Sequence, residues 1–285
     1  MSVEIEVAES LGHALELLSS GDPGVRPVAG ATDVVLRLQA GRLKAHRLVS
    51  IADLPELSGI EPGKDAVRVG AGATLTDLMT NPVFAAEFPG AVEAARLFAS
   101  PQIRNRATLG GNIGNASPAA DLVPPLIALG AQVTLTSKKG ARTLAVEDVF
   151  LGFGKTVVAP DELITQLSLP RRKGFFQAFA KFGSRGANVI SVVNMALCLE
   201  LSAGRIASAR VAYGSVAPKP HRALKVEQYL TGQLLSPALI AGSREAVLSD
   251  IAPIDDVRGS KRHKQRLAVN ATQDALSRAL SEVRA

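Results

Sequence analysis

The sequence predicts an α+β protein in two parts, the second smaller than the first. Strand-like apolar runs interleave with short helical patterns over roughly the first 170 residues. A polar stretch punctuated by proline and glycine, Pro170-Arg171-Arg172-Lys173-Gly174, then has the composition of a linker. Beyond it, strand-like runs come first and helices follow, the order expected of a C-terminal α/β domain of sheet plus helices.

The elements follow in chain order. Val3, Ile5 and Val7 alternate with Glu4, Glu6 and Ala8, which predicts a half-buried strand. Ser10 is placed to cap a helix whose Leu11, Ala14, Leu15 and Leu18 share one face. Gly21-Asp22-Pro23-Gly24 ends that helix. Residues 26–29 read as a strand running into Gly30, with Val34, Leu36 and Leu38 in a following helix or turn and another strand at 48–51. Ala66–Gly70 is the next strand, ahead of a helix beginning near Thr74. Residues 91–98 have helical spacing and stop before Ser100-Pro101, because proline disfavours helical backbone in its predecessor. Pro124 and Pro125 suit the first turn of a helix through Leu129, where a missing N–H costs little. Gly130 closes that helix, and 132–136 reads as a strand. In the second part, 175–181, 191–201 and 205–216 read as strands, with Ala203-Gly204 a hairpin turn. Helices are expected over Leu224–Leu230, 237–248 and 261–280.

Composition excludes several classes. At 47% hydrophobic and 20% charged, the chain is globular rather than disordered. No apolar run is long enough to span a bilayer, and Met1–Ser10 shows no secretory pattern, so a cytoplasmic location is expected. The single cysteine, Cys198, excludes an intrachain disulfide and cannot alone hold an iron–sulfur cluster; it reads as core filling. His13, His46, His221 and His263 are scattered, without metal-site spacing. The net charge of +6 is densest at Arg258, Lys261, Arg262, His263, Lys264 and Arg266. That cluster is either a solvated helix face or a contact for an acidic partner. Without tryptophan or an aromatic platform beside it, nucleic-acid binding is not expected.

Two glycine-rich segments carry the functional signal. Ala29-Gly30-Ala31-Thr32-Asp33 can point backbone N–H groups at an anion, with the Thr32 hydroxyl beside them; a simple tight turn would need the same glycine. The second segment runs from Thr108 through Gly110, Gly111, Asn112, Gly114 and Ser117 to Asp121, dense in glycine and amide side chains. It lacks both the G-x-G-x-x-G fingerprint and a Walker lysine, so phosphate cradling on a different fold is the physical inference. A side chain at Gly111 is expected to fill the space where backbone meets phosphate. The segments stand almost eighty residues apart, so they would have to converge on one elongated ligand. A dinucleotide with a central pyrophosphate fits.

The pairing of AGATD with TLGGNIGNASPAADLVPPL resembles the FAD-binding medium subunit of the molybdenum hydroxylases, the xanthine dehydrogenase and carbon monoxide dehydrogenase family. IADLPELSGI at 51–60, VRVGAGATLTDL at 67–78, SPQIRNRATLGGN at 100–112 and IDDVRGSKRHKQRLA at 254–268 extend the resemblance over essentially the whole chain. It implies the flavin fold of vanillyl-alcohol oxidase and p-cresol methylhydroxylase. The implied domains are a two-part FAD-binding domain over 1–171, divided near 58/59, and a C-terminal domain over 174–285. It further implies noncovalent FAD, with residues 29–33 and 108–112 holding the pyrophosphate through backbone N–H groups, and Thr108, Asn112, Ser117 and Asp121 meeting polar groups of the flavin chain. A ribityl or ribose hydroxyl suits the Asp121 anion better than phosphate does; a helix-start role before Pro124 is the other reading.

Several positions depart from the pattern. Ala31 replaces a commoner glycine. Phe179 falls where some relatives place a tyrosine against the flavin ring, and reads equally as a core strand residue. Lys181 and Arg185 match a basic stretch near the flavin end, or are simply exposed, and His263 stands where relatives often have tyrosine. The resemblance implies an electron-transfer oxidoreductase subunit with no catalytic side chain of its own. Electrons would come from a molybdenum cofactor on a large subunit through [2Fe–2S] clusters on a small one, and leave for NAD, oxygen or another acceptor. An independent flavin oxidase of the same fold, or a non-redox nucleotide-binding regulator, are the alternatives.

Overall fold

A computed structural model describes residues 3–186 and 188–284. The N-terminal piece runs β1 (Glu4–Val7), α1 (Leu11–Leu18), β2 (Val25–Val28), α2 (Val34–Gln39) and β3 (Arg47–Ser50), with the strands in a parallel sheet of order β1-β3-β2. Ser10 caps α1, its Oγ accepting from the His13 N–H at 3.1 Å, and Ala14, Leu15 and Leu18 are buried. The outer strand corrects the sequence expectation. Ile5 and Val7 are 66% and 63% exposed. Glu6 instead has the His13 ring 3.9 Å away and the Arg47 guanidinium at 3.4 Å, and Glu4 also bonds Arg47. Alternation tells that a strand has two faces; it does not tell which one is covered.

The middle of the chain continues with β4 (Ile60–Pro62), β5 (Ala66–Gly70), α3 (Leu75–Thr80), α4 (Pro82–Glu87), α5 (Pro89–Arg96), α6 (Pro101–Arg104), α7 (Leu109–Gly114), α8 (Val123–Leu129), β6 (Gln132–Ser137), β7 (Gly140–Ala145), β8 (Phe150–Gly152), β9 (Lys155–Thr156) and β10 (Leu163–Pro170). Its main sheet has the order β4-β5-β10-β6-β7, with β8 and β9 a separate hairpin. Thr74 and Asp77 form a reciprocal capping box at the start of α3. Every residue of α8 is buried, and Gly130 ends it with a left-handed φ of 72° that any Cβ would strain.

The remainder is β11 (Phe176–Phe182), β12 (Val193–Ser202), β13 (Arg205–Gly214), β14 (His221–Arg222), α9 (Leu224–Leu230), α10 (Pro237–Gly242), α11 (Arg244–Asp250) and α12 (Lys261–Arg284). The strands pair antiparallel in chain order. The helix expected over 237–248 is broken at Ser243 into α10 and α11. The central strand β12 is apolar on both faces because both are covered, by α8 on one side and α12 on the other. Ala196 and Cys198 join the core that contains α8, while Met195, Leu197 and Leu199 join the core beneath α12. Burial pushes the Cys198 thiol up to about 11, as befits core filling.

Ser202 pairs with Arg205 across the two-residue turn Ala203-Gly204, whose φ values of 48° and 76° are both positive, as in a type I′ hairpin. Alanine is strained at the first of these positions. Ala203→Asn is therefore expected to stabilise the protein by roughly 1 kcal/mol, read as a higher urea midpoint at unchanged slope. An unchanged or lower midpoint would contradict the turn type.

The C-terminal basic cluster divides. Lys264 is 2% exposed and turns inward, its ammonium 2.8 Å from the Asp256 carboxylate and donating to the Ile254 carbonyl at 2.9 Å. Arg258, Lys261, Arg262 and Arg266 remain exposed. Among the described residues, no helix is long and apolar enough to cross a membrane.

Candidate functional site

A cleft of about 310 Å3 opens between the N-terminal parallel sheet and the five-stranded sheet. This is within the range of about 300–1,000 Å3 usual for small-molecule sites. It is lined by Ala29, Gly30, Ala31, Thr32 and Asp33 from the loop after β2, and by Thr108, Gly110, Gly111 and Asn112 at α7. The two glycine-rich segments therefore meet across one groove.

Glycine makes the meeting close. A Cβ at Gly30 would lie 1.7 Å from the Arg106 carbonyl oxygen, and one at Gly110 would lie 2.7 Å from the Ala71 Cβ. At Gly111 a Cβ would meet only the Thr108 Oγ1, at 2.8 Å. The steric demand singled out at Gly111 in the sequence is thus greater at Gly30, where the obstacle is backbone that cannot rotate away.

The two segments offer different donors. Among the described residues, the N–H groups of Gly30, Ala31, Thr32 and Asp33 have no acceptor, and Ala31 sits at a left-handed φ of 61°. An alanine there costs about 1–2 kcal/mol, which the loop bears while its N–H groups stay unspent. In the second segment the N–H groups of residues 109–112 all have partners within the protein. Leu109 donates to the Ala73 carbonyl, Gly110 to that of Ala71, Asn112 to that of Thr108, and Gly111 to the Thr108 hydroxyl at 3.0 Å. This segment is a capped short helix, and Thr108 and Asn112 line the cleft. Asn112 Oδ1 is buried with no partner among the described residues.

Arg37 and Asn115, which sequence reasoning passed over, join the segments. Arg37 Nη1 donates to Asn115 Oδ1 at 3.1 Å. Burial in the cleft pushes the Asp33 carboxyl above its usual range, with Arg37 and Asn115 pulling it back. Nothing local in the sequence marks this contact, which spans 78 residues. Glu162 also lines the cleft, but its carboxylate is held low by the Arg142 guanidinium, which grips it through two bonds of 2.6 and 2.8 Å.

Four residues singled out in the sequence do not line the cleft. Ser117 Oγ accepts from the Ala119 N–H within its own turn. Phe179 is 1% exposed and packs in the core shared with α8, so the core reading holds over the flavin-ring one. Asp121 is buried and its oxygens are taken by Lys181 Nζ at 2.6 Å, Ser191 Oγ at 2.5 Å and Asn194 Nδ2 at 2.7 Å, all beyond the 170–174 stretch. Its side chain does not cap α8 either, since the cap position is Leu122 and carries no side-chain bond. Lys181 also donates to the Leu97 carbonyl at 3.0 Å, one residue before the cleft-lining Phe98.

These residues fit a dinucleotide. Unspent N–H groups and a guanidinium face one stretch of groove, an unpartnered amide oxygen waits opposite, and both walls approach where only glycine leaves room. The comparisons agree. Residues 1–172 match the FAD binding domain in molybdopterin dehydrogenase, and residues 177–279 match the CO dehydrogenase flavoprotein C-terminal domain. The chain is 32% identical to the glyceraldehyde dehydrogenase medium chain of Sulfolobus acidocaldarius, over 94% of this chain and 95% of that one. It is 31% identical to a putative xanthine dehydrogenase FAD-binding subunit of Escherichia coli, over 96% and 94%. Carbon monoxide dehydrogenase from Hydrogenophaga pseudoflava superimposes with a TM-score of 0.95 at 28% identity, over 99% of this chain and 98% of that one.

Proposed function

Because the chain belongs to the FAD-binding medium subunits of the xanthine dehydrogenase and carbon monoxide dehydrogenase family, we propose that it is the electron relay of a molybdenum hydroxylase. In this reading it receives electrons from iron–sulfur clusters on a small subunit, fed by a molybdenum cofactor on a large one, and passes them to NAD, oxygen or another acceptor. The observation that carries it is the groove in which the unspent N–H groups of residues 30–33 face the Thr108 and Asn112 side chains. Bound FAD supplies the redox chemistry, exchanging electrons singly or in pairs; the protein supplies position and electrostatics.

The loop 30–33 would hold the pyrophosphate, with the Thr108 hydroxyl and Asn112 amide on the facing wall. Phe98 lines the cleft next in chain to Leu97, whose carbonyl accepts from Lys181, and the Lys181–Asp121 pair would brace that wall from behind. A single cysteine leaves the chain short of the four ligands a [2Fe–2S] cluster needs, so in this reading the clusters lie on another polypeptide, which delivers the electrons.

The test is anaerobic. The purified chain, reconstituted with FAD, is expected to be yellow and to pass electrons from a chemical reductant to a dye. An organic hydroxylation substrate should leave its flavin spectrum unchanged until iron–sulfur and molybdenum subunits are added. Rapid bleaching by such a substrate with no other chain present would establish an independent oxidase, and a protein that takes up no flavin would remove the redox reading altogether.

A further inference from the structure

We propose that Arg37 is the cation that neutralises the diphosphate of the bound dinucleotide, and that Asn115 is the residue that positions it. The proposal rests on the FAD-binding reading above and adds a residue from outside both glycine-rich segments.

The site is short of positive charge without it. A diphosphate brings two negative charges, the 30–33 loop offers neutral N–H dipoles, and Asp33 adds a carboxyl at the same place. Arg37 stands one helical turn beyond Asp33, its N–H donating to the Asp33 carbonyl at 3.0 Å, and its side chain lines the cleft. The other arginine of the lining, Arg26, is exposed and has no bond to either glycine segment among the described residues.

The guanidinium is held, not merely nearby. Asn115 accepts from Arg37 Nη1 at 3.1 Å through Oδ1, a bond that spans 78 residues of chain. That partner fixes which way the Asn115 amide points, since a guanidinium needs an acceptor. Arg37 is thereby anchored across the groove by one donor. Its other guanidinium N–H groups have no acceptor among the described residues. A planar fork with spare donors beside a row of unspent backbone N–H groups is the geometry that grips phosphate oxygens in pairs.

The experiment measures FAD dissociation constants by quenching of flavin fluorescence, for the parent, Arg37→Gln, Arg37→Lys and Asn115→Ala, over a range of salt concentrations. Arg37→Gln is expected to weaken FAD about ten- to a hundredfold, the worth of a charge-assisted hydrogen bond, and to flatten the dependence of affinity on salt. Arg37→Lys should recover part of the loss, because it restores charge without the fork. Asn115→Ala should weaken FAD less than Arg37→Gln while keeping the parent's salt dependence. FAD affinity of Arg37→Gln within twofold of the parent would overturn the proposal, as would a loss with the salt dependence unchanged. Failure of the parent itself to bind FAD would instead bring down the reading on which it rests.

Discussion

Replacing Asp121 by alanine is expected to lower the thermal midpoint by about 6–20 °C, a loss of roughly 3–5 kcal/mol. Asp121 is 4% exposed and one of its oxygens accepts from both Ser191 Oγ and Asn194 Nδ2; Lys181, with a side chain 6% exposed, sits on its other oxygen. Removing the anion leaves a buried ammonium whose remaining bond is to the Leu97 carbonyl, a Ser191 hydroxyl without its acceptor, and an Asn194 amide left with a long 3.4 Å bond to the Ala120 carbonyl. All three partners follow the 170–174 stretch while Asp121 precedes it, so the loss falls on the seam between α8 and the C-terminal sheet. Asp121→Asn, which keeps the shape and one acceptor, should fall between parent and alanine. The double variant Asp121→Ala with Lys181→Met should recover part of the loss, since no unpaired charge remains buried. Scanning calorimetry decides the matter: a shift below about 2 °C for Asp121→Ala would show the cluster to be energetically idle.

Gly30→Ala is expected to lower FAD affinity by at least about a hundredfold, more than Gly111→Ala does. The added Cβ would stand 1.7 Å from the Arg106 carbonyl, and no rotation relieves a clash with backbone. The loop must swing away from the 106–112 wall, pulling its N–H groups off the phosphate; two charge-assisted bonds at roughly 1.5–3 kcal/mol each account for the figure. At Gly111 the new Cβ meets a hydroxyl that also caps α7, so the cost is about that of a weakened cap, on the order of 1 kcal/mol. Flavin absorbance retained after desalting compares the two variants. Equal retention by Gly30→Ala and the parent would falsify the placement of the pyrophosphate at this crossing.

Much of the local structure was legible because its causes are local. The Ser10 cap, the Ala203-Gly204 turn, the buried proline-led helix α8 with Gly130 behind it, and the strand Ala66–Gly70 all depend on residues a few positions apart, and all are found. The two glycine-rich segments could likewise be read as close-approach backbone, and they share a cleft. What could not be read was how each donor would be spent. Among the described residues the N–H groups of 30–33 have no acceptor, while those of 109–112 go to Ala71, Ala73 and Thr108, because a bridge between Thr74 and Thr108 brings residues 71–74 alongside α7.

The same limit governs the side chains. Sequence by itself determined the residue types a phosphate groove needs, and the family likeness of the whole chain. Tertiary structure alone decided that Arg37 meets Asn115 across 78 residues, and that Asp121 meets Lys181 across 60, drawing both out of the cleft lining. It alone turned Phe179 into the core and left Ile5 and Val7 open. A periodic pattern records that a strand has two faces, and a motif records that a loop can bind. Which face is covered, and which partner takes a charge, depend on segments whose separation along the chain leaves no local trace.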